Sequence, residues 1–92
     1  MTYLQLAILL TCRKNSMTSI IGAGTVEDIH GSLPSDFEEY KQETIRRAVK
    51  ALLDAGNLKK GLQIGHKNTY YLSSKGYQET EKATKKAGEN NV

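Results

Sequence analysis

Seven of the cationic side chains in this 92-residue sequence fall in two neighbouring stretches: Lys41, Arg46, Arg47 and Lys50 in one, Lys59, Lys60 and Lys67 in the other. Arginine carries a planar guanidinium that can hold the edge of a guanine with two parallel hydrogen bonds, and lysine is a compact charge suited to phosphate. Both stretches therefore have the chemistry of a polyanion-binding surface. Thirteen Lys and Arg against ten Asp and Glu leave a net charge of +3, which permits an anionic partner without requiring one. A plainer arrangement uses the same residues. Glu43 lies three and four positions before Arg46 and Arg47, the spacing of ion pairs that lace a solvated helix face.

Other chemistry is thinly supplied. A single cysteine, Cys12, excludes a disulfide framework and a cysteine-based zinc site. It closes an apolar stretch and reads as a small hydrophobe. Gly22-Ala23-Gly24 has the start of a phosphate loop, but the third glycine of a dinucleotide fingerprint would fall at Glu27, and no Gly-Lys-Ser/Thr follows. Asp28 and His30 are two apart, so on a helix they diverge by about 200° and share no metal. No acid and base are paired. The sequence argues against an enzyme and implies no cofactor.

The apolar run Leu4 to Leu10 has no basic residue before it, the first being Arg13, so it lacks the charge order of a secretory signal. It also falls far short of the roughly twenty residues that span a bilayer. It reads as a largely buried helix, with no membrane association, and one free thiol fits a cytoplasmic home.

The elements that must position the cations follow from periodicity. A first helix covers 1–14. Met17-Thr18-Ser19-Ile20-Ile21 is a β-leaning patch ended by a glycine turn. Thr25 is placed to cap a short helix, with Asp28 at its third position, where a capping box has Glu. Val26, Ile29 and Leu33 share a face of that helix, and Pro34 stops it. Ser35 to Tyr40 leads into the strongest period in the chain. Ile45, Val49 and Leu52, with Ala48 and Ala55, recur at three and four, which sends Glu43, Arg46, Arg47, Lys50 and Asp54 to the far side. Gly56-Asn57 forms a left-handed end. The period then becomes two: Leu58, Leu62 and Ile64, a turn at Gly65-His66-Lys67-Asn68, and Tyr70-Tyr71-Leu72 make a hairpin over 57–73. A last, weakly amphipathic helix over 74–87 uses Tyr77, Thr80 and Ala87, and residues 88–92 should fray. The expected core is Leu6, Leu9, Ile29, Ile45, Val49, Leu52, Leu58, Leu72 and one of the pair Tyr70 and Tyr71, the other facing out.

Two stretches carry a family likeness. Thr44-Ile45-Arg46-Arg47-Ala48-Val49-Lys50-Ala51-Leu52-Leu53-Asp54-Ala55-Gly56-Asn57-Leu58 resembles the recognition helix and exit turn of small bacterial regulators of the MarR and PadR kind. Tyr70-Tyr71-Leu72-Ser73-Ser74-Lys75-Gly76 resembles their second wing strand, where a Tyr-x-Leu-Thr-x-x-Gly pattern leads into the last helix. The likeness spans roughly residues 20–77. The chain departs from that pattern in its acids Asp36, Glu38, Glu39 and Glu43, and in a wing tip that holds His66 and Lys67 but no arginine.

The resemblance implies a single α+β domain over 1–92. It would be a winged helix-turn-helix: a three-helix core with the helix-turn-helix at 25–56, a two- to three-stranded wing, and a C-terminal helix. It implies double-stranded DNA as partner, with the recognition helix in the major groove and the wing along the backbone. The DNA-contacting residues would then be Lys41, Gln42, Arg46, Arg47 and Lys50 on the helix and Lys59, Lys60, His66 and Lys67 on the wing. Such regulators pair two-fold, and Tyr3, Leu4 and Tyr77 are the expected dimer contacts. The competing expectation is a winged helix that docks a protein partner, with the acids near Glu38 in the interface.

Overall fold

The computed structural model describes residues 1–89, with side chains through Lys85. Helix α1 covers Tyr3–Lys14, α2 Val26–Ser32 and α3 Gln42–Asp54; strands β1, Leu58–Lys60, and β2, Tyr70–Leu72, precede α4, Ser74–Glu89. This is a winged helix-turn-helix. α1 packs against α2, α3, α4 and β2 and so forms the centre of the domain.

Local chemistry starts and stops these elements where the residue types demand. Thr2 and Gln5 form a reciprocal capping box at the head of α1, and Thr25 and Asp28 form another at the head of α2. Leu33, held at ψ 151° before Pro34, ends α2. α3 ends in a Schellman turn: Gly56 takes φ 82°, its N–H donates to the Leu53 carbonyl, and the Asn57 N–H donates to that of Leu52 at 2.9 Å. The hairpin register pairs Leu58 with Leu72, Lys59 with Tyr71 and Lys60 with Tyr70.

The core is continuous across α1, α2, α3 and the hairpin. Ile8, Leu9 and Cys12 of α1 meet Val26 and Ile29 of α2, Ile45, Val49 and Leu52 of α3, and Leu58 and Leu72 of the hairpin. Burial pushes the Cys12 thiol up to about 12, so it stays protonated and serves as packing.

Several expectations need correction. Met17 to Ile21 is not a strand. The chain turns out of α1 there, with Ser16 at φ 59°, and Ile21 is 93% exposed. The third strand shrinks to one bridge, in which Gly24 and Tyr70 exchange hydrogen bonds of 3.0 and 2.8 Å. The first wing strand stops at Lys60 rather than running on through Leu62 to Ile64, because the hairpin projects beyond the core after Gly61 and leaves both side chains exposed. Its tip is a two-residue turn at Gly65-His66 closed by Ile64 and Lys67. Positive φ at Gly65 alone marks the II′ geometry that suits strand twist. Leu6 is half-buried while Ile8 fills the core position, since Ile8 and Cys12 share a face and Leu6 lies on another. Tyr70 packs on the core, yet both tyrosines of the pair are half-buried; Tyr71 lies beside Tyr77 rather than in solvent. Ala55 is exposed at the end of α3. The last helix runs to Glu89, so part of the segment expected to fray is helical; the Ala87 side chain and residues 90–92 lie outside the described residues.

The Tyr-x-Leu-Ser-x-x-Gly stretch has a clear physical role. The Ser73 hydroxyl donates to the Gly56 carbonyl at 2.6 Å and accepts from the Gly76 N–H at 3.0 Å, so one side chain starts α4 and holds it to the end of α3. Lys75 Nζ donates to the Ala55 carbonyl at 2.6 Å, adding a cation at the C-terminus of α3. At the other side, Arg13 clamps α1 to α4: it pairs with Glu81 at 2.9 Å, donates to the Thr80 hydroxyl, and lies 4.4 Å from the Tyr77 ring centre.

Candidate nucleic-acid interface

The amphipathic period of α3 turns Ile45, Ala48, Val49 and Leu52 inward and leaves Arg46, Arg47 and Lys50 in solvent. Lys41 caps the same helix with its backbone and is exposed, while Gln42, in the first turn, is half-buried. The acids divide into two groups. Asp36, Glu38 and Glu39 belong to the segment between α2 and α3, around a short 3-10 turn at Ser35–Phe37, and not to the helix itself. Glu43, in the first turn, and Asp54, at the far end of the helix, share the cationic face, and of the two Glu43 is the one paired with its arginines. It pairs with Arg46 and Arg47 at 3.6 Å each, with all three side chains more than half exposed. Exposed pairs of this kind contribute about 0.2–1 kcal/mol and exchange readily for another anion.

The wing brings one part of its charge to α3 and carries another away. The II′ turn folds the tip over α2, so that His66 and Lys67 line a hollow of about 260 Å³ together with Arg46, Glu27, Asn68 and Tyr70. Strand alternation sends Lys59 and Lys60 to opposite faces of β1. Lys59 lies with Tyr71 and Tyr77 on the α4 side, and Lys60 is opposite Tyr70 and exposed. Of the nine candidates, Arg46, His66 and Lys67 therefore meet in one place. Arg47 and Lys50 extend the α3 face, and Lys59 stands apart.

Sequence reasoning missed the residue that links these elements. Glu27, at the second position of α2, accepts a 3.1 Å hydrogen bond from Gln42 Nε2 and lies 3.8 Å from Lys67 Nζ. Its own backbone N–H, then the Thr25 hydroxyl and the nearby Lys67 and Arg46 charges, hold its carboxyl below the usual carboxylate range. Nothing in local spacing announces this contact, because its partners are fifteen and forty residues away.

The three expected dimer contacts do not form one patch. Tyr3 is 73% exposed but packs on Phe37, with ring centres 5.6 Å apart. Leu4 is half-buried against the core. Tyr77 is 40% exposed and engaged by Arg13, at the opposite end of α1 from Tyr3. A groove of about 320 Å³ does run along α1, between Tyr3, Leu6, Leu10, Pro34 and Phe37. Among the described residues no group of three or more His, Cys, Asp and Glu could hold a metal ion, and no helix is long and apolar enough to cross a membrane.

The chain matches no protein-family model and no curated protein sequence. Among solved structures it is similar to TubR from Bacillus megaterium pBM400, at 20% sequence identity and a TM-score of 0.76, over 91% of this chain and 87% of that one. A likeness at this identity extends to the fold, and the fold shared over nearly the whole of both chains is the winged helix.

Proposed function

We propose that this protein is a DNA-binding transcriptional regulator that inserts α3 into the major groove and lays the wing along the backbone. The observation that carries the reading is the cationic face of α3 with the wing tip folded beside it. Arg46, Arg47 and Lys50 are in solvent, and Lys67 and His66 join Arg46 in one hollow. The MarR- and PadR-like stretches in the sequence support the same reading, which assigns binding rather than catalysis and a place of action in the cytoplasm. Arg46 and Lys50, one helical turn apart, reach the groove in one docking pose. Gln42 is suited to an adenine edge and Arg46 to a guanine. Lys41, Arg47, Lys60 and Lys67 supply phosphate contacts, with Lys59 at the margin.

A mobility shift with DNA from upstream of the protein's own gene tests the reading. If the bound assembly neutralises about six phosphates, log affinity falls against log salt with a slope of about −5. Replacing Arg46 relaxes preference at one base pair by about 1–3 kcal/mol. No retardation at micromolar protein in low salt, with random DNA as well, overturns it. That result favours the second reading, a protein-docking module. The observation behind that alternative is the apolar exposure beside the wing: Ile21 at 93%, Leu62 at 66% and Ile64 at 61%.

The regulator acts as a homodimer in this proposal, two recognition helices meeting two half-sites. The uncovered groove along α1 supports this, and Tyr3 at its edge is the foremost contact, with Leu4 and Tyr77 less available. Light scattering at tens of micromolar should return twice the 10.2 kDa chain mass. A monomer mass there counts against the dimer.

A further inference from the structure

We propose that the hollow between α2, α3 and the wing is a seat for one phosphate of the bound duplex, and that the Glu27 carboxylate is the anion resident there until DNA replaces it. The inference rests on the DNA-binding reading above and adds a site and a residue to it.

The hollow draws on three elements. Arg46 comes from α3, His66, Lys67 and Asn68 from the wing, and Glu27 from α2. The Lys67 ammonium and the Asn68 side-chain amide offer the donors a phosphodiester takes. The Arg46 guanidinium serves the guanine edge, while its charge in the wall of this hollow of about 260 Å³ adds to the field that favours an anion there. The free protein already holds one. Glu27 faces Lys67 at 3.8 Å with one carboxylate oxygen and accepts from Gln42 with the other. The nearby Lys67 and Arg46 charges help keep that carboxyl ionised.

The contact is built to exchange rather than to lock. The separation is near the limit of an ion pair, and the Lys67 and Glu27 side chains are 61% and 38% exposed. A phosphate entering the hollow takes Lys67 from the carboxylate and repels Glu27. The movement of Glu27 also frees the Gln42 amide, which is otherwise occupied within the protein. One carboxylate thus holds the wing tip and the start of the recognition helix in register before binding, and opposes the backbone once DNA arrives.

Replacing Glu27 with glutamine separates these effects. The amide oxygen in Glu27→Gln can still accept from Gln42, so the fold and α3 are preserved, while the competing charge is gone. Affinity for operator and random DNA should rise alike, by about three- to tenfold at low salt, with a salt slope steeper by up to about 0.9. The gain should vanish in a Lys67→Ala background, where Glu27→Gln changes affinity less than about twofold. In the free protein, amide shifts of residues 65–68 should move on Glu27→Gln while those of α1 hold still. Wild-type binding that is unchanged or weakened by Glu27→Gln, or a gain that persists in full without Lys67, overturns the phosphate seat alone. Unmoved wing-tip shifts overturn it without reference to DNA. Failure of both wild type and Glu27→Gln to bind any duplex overturns the DNA reading, and the seat with it.

Discussion

Replacing Leu52 with alanine lowers the stability of this domain by about 2–5 kcal/mol. Leu52 is 1% exposed and lies in the part of α3 that packs on α1 and leads into β1. Truncation removes the transfer energy of its buried carbons and leaves a cavity, because neighbours from the helices and the hairpin are fixed by their own contacts. Native domains hold only about 5–15 kcal/mol in total, so the loss takes a large share of it. Urea denaturation should show a lower midpoint with an unchanged slope. Lys50→Ala, two residues earlier on the exposed face, should stay within about 0.5 kcal/mol of wild type. A Leu52→Ala midpoint equal to wild type would refute the register of α3, and with it the placement of Arg46 and Lys50 on the outer face.

Gly76→Ala is expected to destabilise although it places a better helix former inside a helix. Helix propensity alone favours alanine by about 1 kcal/mol. A methyl group at position 76, however, would lie 2.9 Å from Leu72 Cδ1 and closer still to the Asn57 carbonyl oxygen, a backbone atom that no rotamer change can move. The helix must back away from the exit turn of α3, stretching the Ser73 hydroxyl bonds that join them. Overpacking of this kind costs about 1–3 kcal/mol, so the clash outweighs the propensity gain. Gly31→Ala in α2 provides the contrast, since nothing lies within 4 Å of its added carbon, and it should stabilise by about 0.5–1 kcal/mol. Thermal melts of the two variants should move in opposite directions. A Gly76→Ala protein as stable as wild type would mean that α4 does not rest on Asn57 in solution. The consequence would reach the wing, because β2 runs straight into α4 through Ser73.

The helix ends were legible because their causes are local. A threonine three residues before an acid, a proline after Leu33, and Gly-Asn after a periodic run each act within one turn of chain. The stripe of α3 was legible for the same reason, since the 3.6-residue period that buries Ile45, Val49 and Leu52 also exposes Arg46 and Lys50. The reach of the strands was not. Leu62 and Ile64 alternate as a half-buried strand would, yet the hairpin outgrows the core beneath it, and a period of two does not say where the core ends. Met17 to Ile21 has β-forming residues, yet it forms no ladder: the Met17 carbonyl accepts one hydrogen bond from the Leu72 N–H, and the one bridge to β2 falls later, at Gly24.

The candidate interface divides along the same line. Residue types and helical spacing alone determined that Arg46, Arg47 and Lys50 form an exposed cationic face, because neighbours on one helix are set by chain geometry. Tertiary structure decided which wing residues join that face. The II′ turn at Gly65-His66 brings Lys67 to Arg46, while strand alternation takes Lys59 to the α4 side. It also decided that Glu27 lies between Gln42 and Lys67, and that Arg13 belongs to the α1–α4 clamp rather than to any binding surface. Contacts between residues far apart in sequence depend on how the elements pack. A charge pattern read along the chain carries no record of that packing.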